Sequence, residues 1–255
     1  MNTDSSLLRW SNIIAFILTV IVNGLAGSTT VLAGKNTAEI SNMNPTLITP
    51  AGYVFSIWGI IYILLGAFNV FQALPSQKGS DFHKKIGWLF VLSCLLNIVW
   101  LFLWQYEYLS FSLVLMFLLL ATLGAVYTRL DIGKTSVNLR EKLAVHLPFS
   151  VYFGWITIAS IANVSVFLVS VGWDGLGISS EIWAILIILI ALLLILIVVA
   201  TRKDVAYGLV GIWAFIGIAL NQSGNPNIVM MLEASAAIIA ITMAARLLLA
   251  MLKRS

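Results

Sequence analysis

Tryptophan, tyrosine and asparagine recur at helical spacing in three apolar stretches of this 255-residue chain. At about 100° per residue, Trp58, Tyr62 and Asn69 share one face of the first stretch. Ser93, Asn97, Trp100 and Trp104 share a face of the second, and Tyr152, Trp155, Ala159 and Ala162 line up on the third with Asn163 at the edge. Indole and carboxamide groups offer hydrogen bonds, and the rings offer flat apolar surface. That chemistry holds a ligand without reacting with it. Trp58, Asn97 and Asn163 each fall roughly eight residues from the same end of their helices, one layer at about 1.5 Å per residue. Apolar walls with a few convergent polar groups are the usual make-up of a small-molecule pocket. The competing reading is packing alone, since polar side chains within spans join helices at about 0.6–2 kcal/mol each.

Reactive chemistry has little to work with. The chain carries no nucleophile elbow, metalloprotease helix, phosphate loop or dinucleotide fingerprint. Two histidines and the single Cys94 make no metal cluster, and one cysteine closes no intramolecular disulfide. We therefore expect a non-enzyme with no required cofactor. Glu233 is the one acidic residue well inside an apolar run, about 9 Å from its nearer end. A charge there costs a few kcal/mol, so the residue is protonated, paired or in a wet cavity. Its functional reading is proton coupling in a secondary transporter. Its bland reading is a carboxyl bonded to neighbouring helix ends, such as the Asn221–Asn225 turn.

Apolar elements must position these groups. Hydrophobic residues make up 61% of the chain and charged ones 9%. A bilayer span needs about 20 apolar residues, and the chain supplies about eight such runs. They lie near 8–27, 50–73, 86–105, 109–130, 143–171, 181–201, 205–221 and 227–252. The expected fold is all-α, a polytopic transmembrane bundle of about eight helices. Numbering the loops alternately puts every one of the 14 Lys and Arg on one side except Lys35. Positive residues near span ends stay cytoplasmic, so both termini are expected inside, in a multi-pass protein of the cell (inner) membrane. The net charge of +4 is then an orientation signal, and nucleic acid is not an expected partner. Arg9, an apolar core and Gly24-Leu25-Ala26-Gly27 imitate a secretion signal, but the run is long for one. Trp10, Trp88, Trp173 and Trp183 fall where interfacial belts form.

The longest connection, about Ser28 to Thr49, is rich in Ser, Thr, Asn and Gly and is expected on the outside, either as a lid or as a loose connector. Pro50 stands where a helix starts without needing its N–H. The sixth helix is nearly all Leu, Ile, Val and Ala, and is expected to face lipid. The fifth has a second polar face of His146, Ser150, Thr157 and Ser160, which a helix facing lipid would not favour and which is expected to meet other helices. Tyr53-Val-Phe-Ser-Ile-Trp58-Gly faintly echoes Gly208-Leu-Val-Gly-Ile-Trp213-Ala on an oppositely running helix, the kind of repeat transporters carry.

The stretch Pro50…Trp58-Gly-Ile-Ile-Tyr62-Ile-Leu-Leu-Gly66 resembles helix 2 of the tryptophan-rich sensory protein/translocator protein family, also known as peripheral benzodiazepine receptor-like. Leu96-Asn97-Ile-Val-Trp100 followed by Trp104 is similar to its Leu-Asn-x-x-Trp motif, and Trp155-x3-Ala159-x3-Asn163 to its helix 5 pattern. The motifs come in the family's order over roughly residues 8–171. Departures are the absence of a lid tryptophan, the separated Pro45 and Pro50, and Pro148 seven residues before Trp155. The resemblance implies a five-helix unit over 1–171 with three further helices over 172–255. It also implies a cavity that takes a planar hydrophobic ligand, such as a porphyrin or haem, for sensing or transport. Trp58 and Asn97 would donate hydrogen bonds. Trp155 would form a wall with Ala159 leaving space beside it, and Tyr62 and Trp100 would complete the lining. Short members are often dimers, which implies a homodimer. The alternatives from the residues alone are a proton-coupled transporter using Glu233 and a non-catalytic membrane interaction protein.

Overall fold

A computed structural model describes residues 3–28 and 32–252. Thr29 to Val31 of the expected lid, and Lys253 and Arg254 of the basic set, lie outside the described residues. Eight long helices form the body: α1 Thr3–Ser28, α2 Ile57–Ala73, α3 Leu89–Gln105, α4 Leu109–Arg129, α5 Leu147–Ser170, α6 Ser180–Arg202, α7 Val205–Asn221 and α8 Pro226–Leu252. Six helical spans are long and apolar enough to cross a membrane, and α3 and α7 are shorter apolar helices of the same bundle. Large apolar side chains point outward along the spans, among them Ile63, Phe111, Ile190 and Ile241. A soluble fold would hide these groups, whereas lipid is their solvent.

Helix boundaries follow local chemistry. Ser179 caps α6 by accepting from the Ile182 N–H, and Glu181 sits in the first turn, favoured by the helix dipole. α6 ends where Lys203 adopts the left-handed conformation, and Asp204 caps α7 at once by accepting from the Tyr207 N–H. That two-residue turn forces α6 and α7 antiparallel. Pro226 opens α8, where its missing N–H costs nothing. Ahead of α5 the chain makes a π turn over Lys142–His146. Pro148 lacks the N–H of a regular ladder and crowds the carbonyl four residues back, which a wider turn relieves. Pro50 stands just before a 3₁₀ turn, Gly52–Ser56, which leads into α2.

Five helices close a ring in the order α2, α1, α3, α4, α5, and back to α2. Helices α6, α7 and α8 pack on one another, and α7 docks against α5. The polar face of α5 meets that dock. Ser150 Oγ donates to Asp204 Oδ2 at 2.5 Å, and Tyr127 OH from α4 donates to the same oxygen at 2.8 Å. Tyr207 OH donates to Thr157 Oγ1 at 2.8 Å. Gly154 brings the backbones together, with the side chains of Tyr207 and Val210 pressed against it. At the same end Arg202 pairs with Asp131 at 2.8 Å and lies over the Tyr127 ring, and Arg246 bonds the Ala200 carbonyl. We call this the basic end and the opposite one the lid end.

The connection before α2 is more ordered than its composition suggests. Thr37–Met43 forms a lid helix closed by a capping box: Asn36 Oδ1 accepts from the Ala38 and Glu39 N–H groups, and Glu39 Oε2 accepts from the Asn36 N–H at 2.7 Å. Lys35, alone among the basic residues at this end, pairs with Glu107 at 2.7 Å. Trp10 and Trp88 stand exposed on the bundle surface, as interfacial residues do. Trp173 and Trp183 pack together at 4.9 Å, and the Trp183 indole donates to the Gly175 carbonyl.

Candidate functional site

Trp58 is the hub of an aromatic cage inside the five-helix ring. Tyr62, one turn on, stacks with it at 5.7 Å. Trp100 lies beside it at 6.1 Å, and Tyr152 and Trp155 meet it edge-on at 6.0 and 6.2 Å. Trp104 stacks on Trp100 at 5.9 Å, and Phe55 meets Trp155 at 6.2 Å. Such pairs contribute about 0.5–1.5 kcal/mol each beyond their burial. The cage is therefore rigid enough to hold the rings in place before a ligand arrives.

Polar atoms stand inside this apolar shell without partners. Asn97 is fully buried; its Oδ1 accepts from Asn23 Nδ2 at 2.7 Å, while its own Nδ2 has no hydrogen-bond partner in the protein. The indole nitrogens of Trp100 and Trp155 are equally unpartnered, and the Tyr62 hydroxyl, which faces Asn97, makes no hydrogen bond of good geometry. A buried donor left unsatisfied costs about 1–3 kcal/mol. Four around one tryptophan are a concentration that helix packing does not require. Asn163 differs: its carboxamide faces the Ser112 hydroxyl at 3.4 Å, a long and weak contact.

Three cavities surround the cage. A central one of about 60 Å³ is lined by Trp58, Trp100, Trp104, Trp155, Ala159 and Asn163 on the ring side. None of its lining residues, among those described, is charged. At on the order of 10–15 Å³ per water it has room for a few waters, not for a macrocycle. Two wider spaces adjoin it at the lid end. A cleft of about 390 Å³, lined by Asn23, Asn36, Ser56 and Tyr62, shares Thr37, Phe55 and Trp58 with the central cavity. A vestibule of about 460 Å³ between the lid, α5 and α6 shares Ile48 and Ile187 with it.

Of the residues singled out from sequence, Trp58, Trp100, Trp155, Ala159 and Asn163 line the central cavity. Tyr62 lines the cleft instead, and Asn97 sits behind the cage, lining none of the three spaces. Glu233 is elsewhere. It lies on the exposed face of α8, opposite the buried Leu232, Ser235 and Ile239, and lines none of the cavities.

The other wall was not foreseen. Ile187, Ile188 and Ala191 of α6 and Ala214, Phe215 and Ile218 of α7 complete the central cavity. The sixth helix thus has a cavity face as well as a lipid face, because an apolar wall and a lipid-facing surface are built from the same residues. Small residues on α7 were the available signal. Gly211 lies against Ile195, and Gly217 lies so close to Val54 that any side chain there would collide with it. Such spacing marks a helix packed on several sides.

Fold and site together define a class: a polytopic helical membrane protein with a tryptophan-walled cavity between a five-helix ring and the helices packed on it. The model of the TSPO-like protein family matches residues 9–246, and the chain belongs to that family. The match runs through α6, α7 and most of α8 as well as the ring. No curated protein and no solved structure matches the chain.

Proposed function

We propose that this protein binds a flat, mainly apolar molecule of the tetrapyrrole type, porphyrin or haem, in the cavity between the ring and α6 and α7, for sensing or transport. The observation that carries the reading is the pair of unpartnered indole donors, on Trp100 and Trp155, that stand beside Trp58 in the wall of a cavity with no charged lining among the described residues. A ring-shaped ligand would stack on the indoles and bring acceptors to those N–H groups. The central cavity is narrow, so the ligand enters by parting α6 and α7 from the ring or by drawing the adjoining spaces into one. Neither histidine lines the three cavities; Met116 is the central-cavity residue whose side chain could meet a haem iron, and the indoles would stack on the ring faces. The segregation of Lys and Arg supports termini on the cytoplasmic side of the cell membrane and the lid outside. The test is a titration of the purified protein with protoporphyrin IX beside Trp155→Phe and Trp100→Phe. Saturable binding weakened by both changes supports the reading; identical unsaturable signals in all three remove it.

A second reading, proton-coupled transport, has one observation in its favour: α8 exposes Glu233 about 10 Å beyond the start of its helix, where an ionisable group is costly. Its check is pH-driven uptake by reconstituted Glu233→Gln protein. Uptake equal to that of the unmodified chain would end this reading.

A further inference from the structure

We propose that the vestibule between the lid, α5 and α6 is the entrance of the cavity, and that it admits a flat amphipathic ligand from the lid-side leaflet. The inference rests on the ligand-binding reading above. Continuity is the first argument. Vestibule and cavity share only Ile48 of the lid and Ile187 of α6, so these two side chains form a neck. Ile48 is 5% exposed and apolar, and Ile187 packs against the buried apolar cluster to which Ile48 belongs. Flexible aliphatic groups of this kind part more readily than a hydrogen-bonded wall.

The second argument is that the lid itself is tied down. Gln222 Nε2 donates to the Thr46 carbonyl at 3.2 Å, and Asn221 Nδ2 to the Thr49 carbonyl at 3.0 Å. The Ala51 N–H donates to the Gly217 carbonyl at 3.0 Å, and Trp213 Nε1 to the Val54 carbonyl at 3.2 Å. All four run between α7 with its end and the segment that leads into α2. The lid helix is held from α3, where Trp104 Nε1 donates to the Thr37 carbonyl and Gln105 Nε2 reaches the Thr37 hydroxyl. Lifting the lid would break several of these bonds together. Passage through the neck breaks none.

Lining chemistry supplies the third argument. The vestibule is apolar along α5 and α6, with Leu168, Val169 and Ala184, and polar toward the lid end, with Thr46, Asp174 and Gln222. Trp173 and Trp183 stand on its wall. That gradient matches a molecule lying at the membrane interface with its body in the acyl region. The polar cleft on the far side of Trp58, lined by Asn23, Asn36 and Ser56, suits water. Asp174 is the only ionisable side chain among the described vestibule residues, and no cation balances it. The propionates of a porphyrin are therefore slowed at the mouth, and removing the Asp174 charge would speed them.

The experiment measures association and dissociation rates of protoporphyrin IX by rapid mixing, with the full chain in nanodiscs and the porphyrin's own emission as readout. In Leu47→Trp/Val169→Trp, which narrows the vestibule, both rates fall together by about tenfold, the sign of a hindered path. Should the double variant fail to fold, Val169→Trp alone, at a position 46% exposed, carries the same expectation. Ala38→Trp, in the cleft, leaves the rates as they were. Asp174→Asn keeps a side chain able to cap the following turn and speeds entry of this dianionic porphyrin, more at low salt than at high. Unchanged rates in the vestibule variants, or slowing by Ala38→Trp, overturn the proposal while saturable binding keeps the function reading standing. No saturable binding by the unmodified chain removes both.

Discussion

At the scale of single residues, the unpartnered indoles set a test that stability and affinity answer in opposite senses. Trp100→Phe and Trp155→Phe keep an aromatic ring in the cage and delete a buried N–H that has no partner in the protein. Removing such a group is close to neutral or stabilising, so the melting temperature in detergent is expected to hold or rise. Porphyrin affinity is expected to fall about tenfold for each, the size of one hydrogen bond to a ligand acceptor. A melting temperature that drops with unchanged affinity would mean that the indoles only pack. His83 gives a second residue-scale expectation. Burial and the Arg9 charge hold the imidazole below its ordinary value, while its contact with the Gln77 carbonyl opposes them. The unfolded chain then takes up the proton first, so His83 contributes full stability above the ordinary pKa of 6.5 and loses it as pH falls through the lowered value. Melting curves stepped downward from pH 7.5 should show this loss, and His83→Gln should flatten it. The sequence announced the cage residues by their helical spacing. It did not announce that Asn97 bonds Asn23 or that Glu233 faces outward, because on a helix apolar all round nothing distinguishes the inner face from the outer.

Elements tell a different story about legibility. Eight apolar runs and their loop charges placed all eight helices, since span length and basic residues are read by the bilayer itself. The lid helix was written in the sequence as Asn36-Thr-Ala-Glu39, a capping signature, yet its polar composition read as a loop. Asp204 was hidden for another reason. It stands between two helices, where a charge is ordinarily solvated, and only the packing of α4, α5 and α7 buries it. The ties between α7 and the lid lead to an element-scale prediction. Asn221→Ala with Gln222→Ala removes two hydrogen bonds worth about 0.5–1.5 kcal/mol each. Amides of residues 46–54 should then exchange with deuterium about tenfold faster in their local opening. Exchange as slow as in the unmodified chain would mean that the lid is held by something other than these bonds.

For the whole molecule, the five-helix ring and the last three helices pack against each other through α5 and α7, and the TSPO-like match runs through both. Asp204 joins them by accepting from Tyr127, Ser150 and the Tyr207 N–H. Asp204→Ala strands two buried hydroxyls and should cost about 2–4 kcal/mol, read as a lowered melting temperature. The cavity shares the same logic, since α6 and α7 supply its second wall. A chain ending after α5 would leave Trp155 and Ala159 facing lipid or an open groove. The central claim is that this two-part body encloses a site for a flat apolar ligand. The most direct measurement is an equilibrium titration of the full chain in nanodiscs with protoporphyrin IX, with empty nanodiscs and Trp155→Phe in parallel. The account predicts a saturable signal at one porphyrin per chain, absent from empty nanodiscs and weakened by the substitution. A signal that rises without saturating, equal in all three samples, would contradict it.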